Sequence, residues 1–386
     1  LFYYRFAPFW EIFFSALGAE AVFSDPTNKR ILDDGVRSCV DEACLPIKLF
    51  YGHVLNLKDR VDYILVPRFT SISKNEYICP EFGGLPDMIR HNLKGLPSLI
   101  DTEVNMRNSA RGGLEAAVEI GAMIGADKRR TIKAFQLASQ AFRRDKFYTE
   151  FRDMVLKDEN RSHPNPLLGS RKGENRPSKI EDSSQTKSQK GENCPHRKSQ
   201  KGENCPQLKS QESENCPHLK SQKSKNCPRP KSRKGENCPL CVGVIGHPYN
   251  VYDRYISMDL LRKLVNRGVE ARTIETVDEA DINRHASRLQ KPMFWNYGRM
   301  AYGAALHMAE SGEVDGFICL TSFGCGIDSF VNDLIERHIR RRYGIPLITM
   351  TVDEHSGEAG FNTRLEAFID MLQWRRQNED HISASG

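Results

Sequence analysis

No stretch of this 386-residue chain reaches the roughly 18 consecutive apolar residues of a membrane-spanning helix. The first residues, Leu1-Phe2-Tyr3-Tyr4-Arg5, include no initiator Met and no basic, apolar and small-residue succession of a secretion signal. A cytoplasmic protein without membrane contact is expected, in a chain that begins inside an element, as a fragment or a piece of a longer one would. No Walker A pattern occurs, and Gly243-x-x-Gly246 is too short for a dinucleotide fingerprint, which argues against a stand-alone nucleotide hydrolase. General basicity is missing too. The net charge is +6, yet residues 170–240 alone hold 17 Lys+Arg against 8 Asp+Glu, which leaves the remainder mildly acidic. Nucleic-acid binding is therefore not expected.

Cysteine is plentiful, with eleven residues. Five of them, Cys194, Cys205, Cys216, Cys227 and Cys238, recur in an eleven-residue unit that begins at Lys187-Ser188-Gln189-Lys190-Gly191-Glu192-Asn193-Cys194-Pro195. Each unit carries one thiol and almost nothing apolar, so the repeats cannot build a core. An earlier partial copy has Arg176 at the thiol position, so the unit does not require its sulfur. The segment reads as a disordered, expanded insertion. Cys39, Cys44, Cys79, Cys241, Cys319 and Cys325 remain, and metal or redox use is expected of them rather than a disulfide framework.

Outside the insertion the pattern alternates between helices and short buried strands. Helical spacing runs over 7–18, 29–39 and 45–57, with strands at 21–23, 61–66 and 97–100 and a further helix after the Cys79 loop. Residues 107–157 read as a helical hairpin. Strands recur at Val242–Gly246, Val269–Ile274, Phe317–Leu320 and Ile345–Met350, with helices between them and a last helix over 361–376. This predicts an α/β chain with two open, parallel-sheet halves. The division expected is an α/β domain over 1–106, a helical segment over 107–159, the insertion over 160–240, a second α/β domain over 241–376 and a tail over 377–386.

Cys44, Cys79 and Cys325 share one placement, in a loop just before a helix start. Helix-end amides favour a thiolate, the form that binds metal. Three thiolates suit an iron–sulfur cluster with one iron left open, although these three lack the compact spacing of ferredoxins or zinc ribbons. Zinc, or three unrelated buried thiols, satisfies the same pattern. Cys39 and Cys319 read as core. Glu354, His355 and Glu358, in the loop after the 345–350 strand, are candidate acid/base groups, with a capping loop as the alternative. His247 reads as structural.

Five motifs in order carry a resemblance. They are Asp41-Glu42-Ala43-Cys44-Leu45-Pro46-Ile47-Lys48, Tyr77-Ile78-Cys79-Pro80, Gly246-His247-Pro248-Tyr249-Asn250, Thr321-Ser322-Phe323-Gly324-Cys325-Gly326 and Asp353-Glu354-His355-Ser356-Gly357-Glu358-Ala359-Gly360. Over about 1–155 and 241–375 the chain resembles the 2-hydroxyacyl-CoA dehydratase-like family, most nearly the activase-related branch that often follows ATPase domains. The resemblance implies two flavodoxin-like domains holding a [4Fe-4S] cluster or an [8Fe-9S] double-cubane cluster on Cys44, Cys79 and Cys325. It implies an ATP-hydrolysing activator or fused ATPase domains as electron source, an acyl-CoA-type substrate, and a homo- or heterodimer. Against that pattern the chain lacks a first strand and any ATPase domain. The activity expected is that of a lyase or a reductase component. A non-catalytic activase subunit or electron relay, or an inactive fragment without metal, are the alternatives.

Overall fold

The computed structural model describes residues 2–109, 111–144 and 238–384. These fall in one structural unit, Leu1–Leu167 with Asn226–Gly386. The repeats, apart from Cys238 to Leu240, lie outside the described residues.

Helix α1 (Tyr3–Leu17) presents Phe13 and Leu17 to a core completed by α5 (Gly112–Met123), α6 (Lys128–Arg144) and Ile100. The expected strand over 21–23 is extended chain without a ladder, held instead by the Arg60 guanidinium on the Phe23 carbonyl. Helix α2 (Lys29–Ser38) begins where the Asn28 side chain accepts from the Ile31 amide, a standard N-cap, and crosses α3 (Leu45–Leu57). That crossing needs two glycines. A Cβ on Gly35 would stand 2.0 Å from the Lys48 carbonyl oxygen, and one on Gly52 would stand 1.9 Å from that of Ile31.

Strands β1 (Tyr63–Leu65) and β2 (Arg68–Ser71) run parallel to β3 (Ser98–Ile100) and β4 (Glu103–Asn105) respectively. Amide bonds from Val66 to Ile100 and from Arg68 to Thr102 carry the ladder past Pro67, which has no N–H to give. The N-terminal half is thus a two-stranded parallel ribbon, with α4 (Pro80–Asn92) as its crossover.

The C-terminal half is a four-stranded parallel sheet in the order β6-β5-β7-β8, formed by β5 (Leu240–Ile245), β6 (Val269–Thr273), β7 (Gly316–Ser322) and β8 (Leu347–Val352). β5 and β7 are buried along their whole length, as central strands covered on both faces must be. One face packs on α9 (Glu279–Ala286), α10 (Asn296–Ser311) and α11 (Gly326–His338). The other packs on Leu260, Leu261 and Leu264 of α8 (Leu260–Asn266), on Phe361, Leu365, Phe368 and Leu372 of α12 (Glu358–Ala384), and on Leu32, Leu45 and Leu49 of α2 and α3. Two helices of the N-terminal half therefore belong to the core of the C-terminal sheet, and the halves share that core. No helix among the described residues is long and apolar enough to cross a membrane.

Candidate metal centre

Strand order reverses between β5 and β7, so a crevice opens at their carboxyl ends, where open α/β sheets bind ligands. The chain leaving β5 is Gly246-His247-Pro248, and His247 is the N-cap of the short helix α7 (Pro248–Val251). The chain leaving β7 is Phe323-Gly324-Cys325, and Cys325 is the N-cap of α11. Gly324 takes the left-handed conformation, φ +80°, and a Cβ there would lie 3.5 Å from the Cys44 Cα. The Cys325 turn thus rests on the Cys44 turn. Cys44 is the N-cap of α3 and Cys79 the N-cap of α4, each with proline in the first turn of its helix, where a missing N–H costs nothing.

Tyr249, on α7, ties these positions to one point. The residue is half-buried, and its hydroxyl is pushed well above its ordinary value, first by burial, then by Asp328, Cys325, Cys44 and Cys79. The Cys44 thiol donates to Glu81 Oε2 at 3.1 Å. Asp328, one turn into α11, lies 3.0 Å from His247 Nε2 through Oδ1 and accepts from Thr321 Oγ1 at 3.4 Å through Oδ2. The His247 ring is stacked between Tyr249 and Tyr297, at centroid distances of 4.7 and 3.8 Å.

The thiols here are not the thiolates that helix ends alone would make. Burial pushes Cys325 up to about 12, with Asp328 and Cys79 adding to it. Burial and then Glu81 raise Cys44, and burial raises Cys79 despite the opposing amides of Glu81 and Phe82. Desolvation outweighs the helix-end amides at all three. The charges that act on these thiols, Glu81, Asp328 and one another, are all acidic. Such a donor set holds its protons until a cation replaces them, and the three sulfurs, which do not all lie within 4.8 Å of one another, suit separate corners of an iron–sulfur group rather than a single ion.

The remaining cysteines do not join this group. Cys241 and Cys319 are fully buried within β5 and β7. Cys238 and Cys241 have Cys-x-x-Cys spacing, but Cys241 is committed to the sheet core. Cys39 lies at the C-cap of α2, half-buried, not inside the helix as expected.

The acid/base candidates sit beside the centre, each with its own partners. Glu354 pairs with Lys48 at 2.5 Å, in a contact where the side chains are 17% and 6% exposed. Burial pulls its carboxyl upward, yet the hydrogen bond and charge of Lys48 hold it below its ordinary value. His355 is exposed, its amide donating to Asp353 Oδ1. Glu358 is exposed at the start of α12 and bonded to Lys263 at 2.6 Å. Asp328 and Glu81 were not singled out from sequence, and Lys48 and Tyr249 stood there only inside motifs, without a role. Their signals were short offsets from the cysteines: Cys325-x-x-Asp328, Cys79-x-Glu81 and, one turn along α3, Cys44-x-x-x-Lys48.

Residues 1–277 match the CoA enzyme activase uncharacterised domain (DUF2229). The chain belongs to that activase family. Residues 264–372 also match the D-component of 2-hydroxyglutaryl-CoA dehydratase. In this activase-family chain, Cys44, Cys79 and His247 fall in the first match, and Cys325, Asp328 and Glu354 in the second. No curated protein matches the chain.

Proposed function

We propose that this activase-family protein is an iron–sulfur protein whose cluster is held by Cys44, Cys79 and Cys325. The supporting observation is that three helix N-caps from distant parts of the chain bring one buried and two half-buried thiols near Tyr249, with Glu81 and Asp328 as the acids beside them. When bound, a cluster supplies single electrons at low potential. The protein's own residues orient it and limit water. Tyr249 and Phe82 wall the site, and α3, fixed by its glycine crossing with α2, sets the position of Cys44. An ATP-hydrolysing activator, as a partner or as fused domains, is the electron source in this reading. The division into domains over 1–106, 107–159, 160–240 and 241–376, a cytoplasmic location and a homo- or heterodimeric assembly go with it.

In the catalytic form of the proposal, a [4Fe-4S] or [8Fe-9S] cluster acts on an acyl-CoA-type substrate, and Glu354, His355 and Glu358 move the protons. Lys48 keeps Glu354 ionised, so its part would be that of a base. A second reading, a non-catalytic electron relay, draws support from a cavity. A space of about 1250 Å³ lies against α1, α3 and β1 and is lined by Tyr249 and Asn250, but by none of the three cysteines.

Iron and acid-labile sulfide per chain, measured on anaerobically purified full-length protein, test the proposal. About four irons with matching sulfide support the single cluster, and about eight the double-cubane form. Cys44→Ala, Cys79→Ala and Cys325→Ala should each lose iron while Cys205→Ala keeps it. Equal retention in all four variants would refute the assignment.

A further inference from the structure

A His247 ring nitrogen, Cys325 Sγ and an Asp328 carboxylate oxygen all lie within 4.8 Å of one another. That spacing is closer than separate corners of a cluster require, and it suits one ion. Bonds of about 2.0–2.3 Å to nitrogen, oxygen and sulfur place donors on a tetrahedral ion about 3.5 Å apart, so the 4.8 Å bound leaves at most about 1.3 Å for the donors to close. The donors are also held in place. The His247 ring is clamped between Tyr249 and Tyr297, and the second oxygen of Asp328 accepts from Thr321, the kind of outer support that orients metal ligands. Cys325 and Asp328 stand three residues apart on the first turn of α11, so one helix end fixes two of the three donors.

We propose that His247, Cys325 and Asp328 form a single-ion site for a divalent cation of the zinc class, which shares only Cys325 with the three-cysteine set. The mixed nitrogen, sulfur and oxygen donors fit zinc or ferrous iron rather than calcium or magnesium. Binding releases the Cys325 thiol proton to solvent. The His247 imidazole binds through one ring nitrogen in its neutral form, with its proton on the other. Because Cys325 belongs to both sets, the single ion and a cluster exclude each other. This proposal does not rest on the cluster reading, since it needs neither Cys44 nor Cys79.

The test is zinc binding to the metal-free, full-length chain, by equilibrium dialysis and calorimetry. One zinc per chain is expected, with affinity lowered at least about 100-fold by Cys325→Ser, by His247→Gln and by Asp328→Asn. Asp328→Asn preserves a hydrogen bond to His247 and so controls for loss of fold, which circular dichroism checks. Cys44→Ser and Cys79→Ser should bind zinc as the parent does. X-ray absorption at the zinc edge should show one sulfur at about 2.3 Å with nitrogen and oxygen neighbours. Absence of stoichiometric zinc, equal loss in Cys44→Ser, or three sulfurs on the ion would each overturn the proposal. Iron and sulfide uptake is scored separately on the same variants, so cluster loss in Cys44→Ser with zinc retained would separate the two sites.

Discussion

Removing the carboxylate of Glu354 should cost more stability than removing any exposed acid of this chain. Lys48 lies on α3 one turn from Cys44 and is buried, and its Nζ reaches Glu354 Oε1 at 2.5 Å. In Glu354→Gln the ammonium remains in a site from which water is largely excluded, with a neutral amide in place of a charge. Breaking a buried pair in this way costs about 3–5 kcal/mol, because an uncompensated charge is left behind. An exposed pair such as Lys29–Asp33, with side chains 79% and 38% exposed, should by contrast change stability by less than about 1 kcal/mol when broken. The assay is urea unfolding of the full-length chain followed by circular dichroism, comparing parent, Glu354→Gln, Lys48→Met and the double variant. The double variant should recover much of the loss, since it leaves no charge unpaired. A loss below about 1 kcal/mol in Glu354→Gln, or strict additivity in the double variant, would refute the reading of this contact as a buried ion pair.

The same pair predicts the acid response. Lys48 holds the folded Glu354 carboxyl below its ordinary value, so the stabilisation is complete above the unfolded value and disappears as pH falls through the lower folded one. Acid titration of stability should therefore show a loss below about pH 5 that is smaller in Glu354→Gln; identical profiles would count against it. Gly35→Ala would push a methyl group into the Lys48 carbonyl, 2.0 Å away, and should cost about 3 kcal/mol or more by urea unfolding, while also lowering iron uptake by shifting α3. In metal-free protein the Cys325 thiol, pushed up to about 12, should be only about 0.01% thiolate at pH 8, so iodoacetamide should label it about a thousand times more slowly than a free thiol. Labelling of Cys325 at an ordinary thiol rate would show that burial does not govern it.

The parallel α/β class was legible because central strands announce themselves. Phe317–Leu320 and Val242–Ile245 are apolar runs with no alternation, and both are strands buried on two faces. The helix starts at Cys44, Cys79 and Cys325 were legible from Pro46, Pro80 and the glycine turn around Cys325. The strand expected at Ala21–Phe23 failed because β propensity needs a neighbour, and among the described residues no strand pairs with it. β2 and β4 were missed because Arg68–Ser71 and Glu103–Asn105 are short and mixed in polarity, and they exist as strands only by pairing with each other. The expected thiolate character of the cysteines also fell short. Placement at a helix start is local, whereas burial depends on everything packed around it.

The sequence by itself determined where each candidate donor sits on its own element. Proline, glycine and apolar spacing act over a few residues, and so they fix N-caps and strand ends without reference to the rest of the chain. Which donors meet was decided only by the tertiary structure. Cys44 and Cys325 are 281 positions apart and come together because α2 and α3 are buried against the C-terminal sheet beneath the crevice between β5 and β7. Asp328, not singled out in the sequence, and His247, read there as structural, approach Cys325 for the same reason. Long-range burial closes the space between them, and local pattern carries no record of that distance.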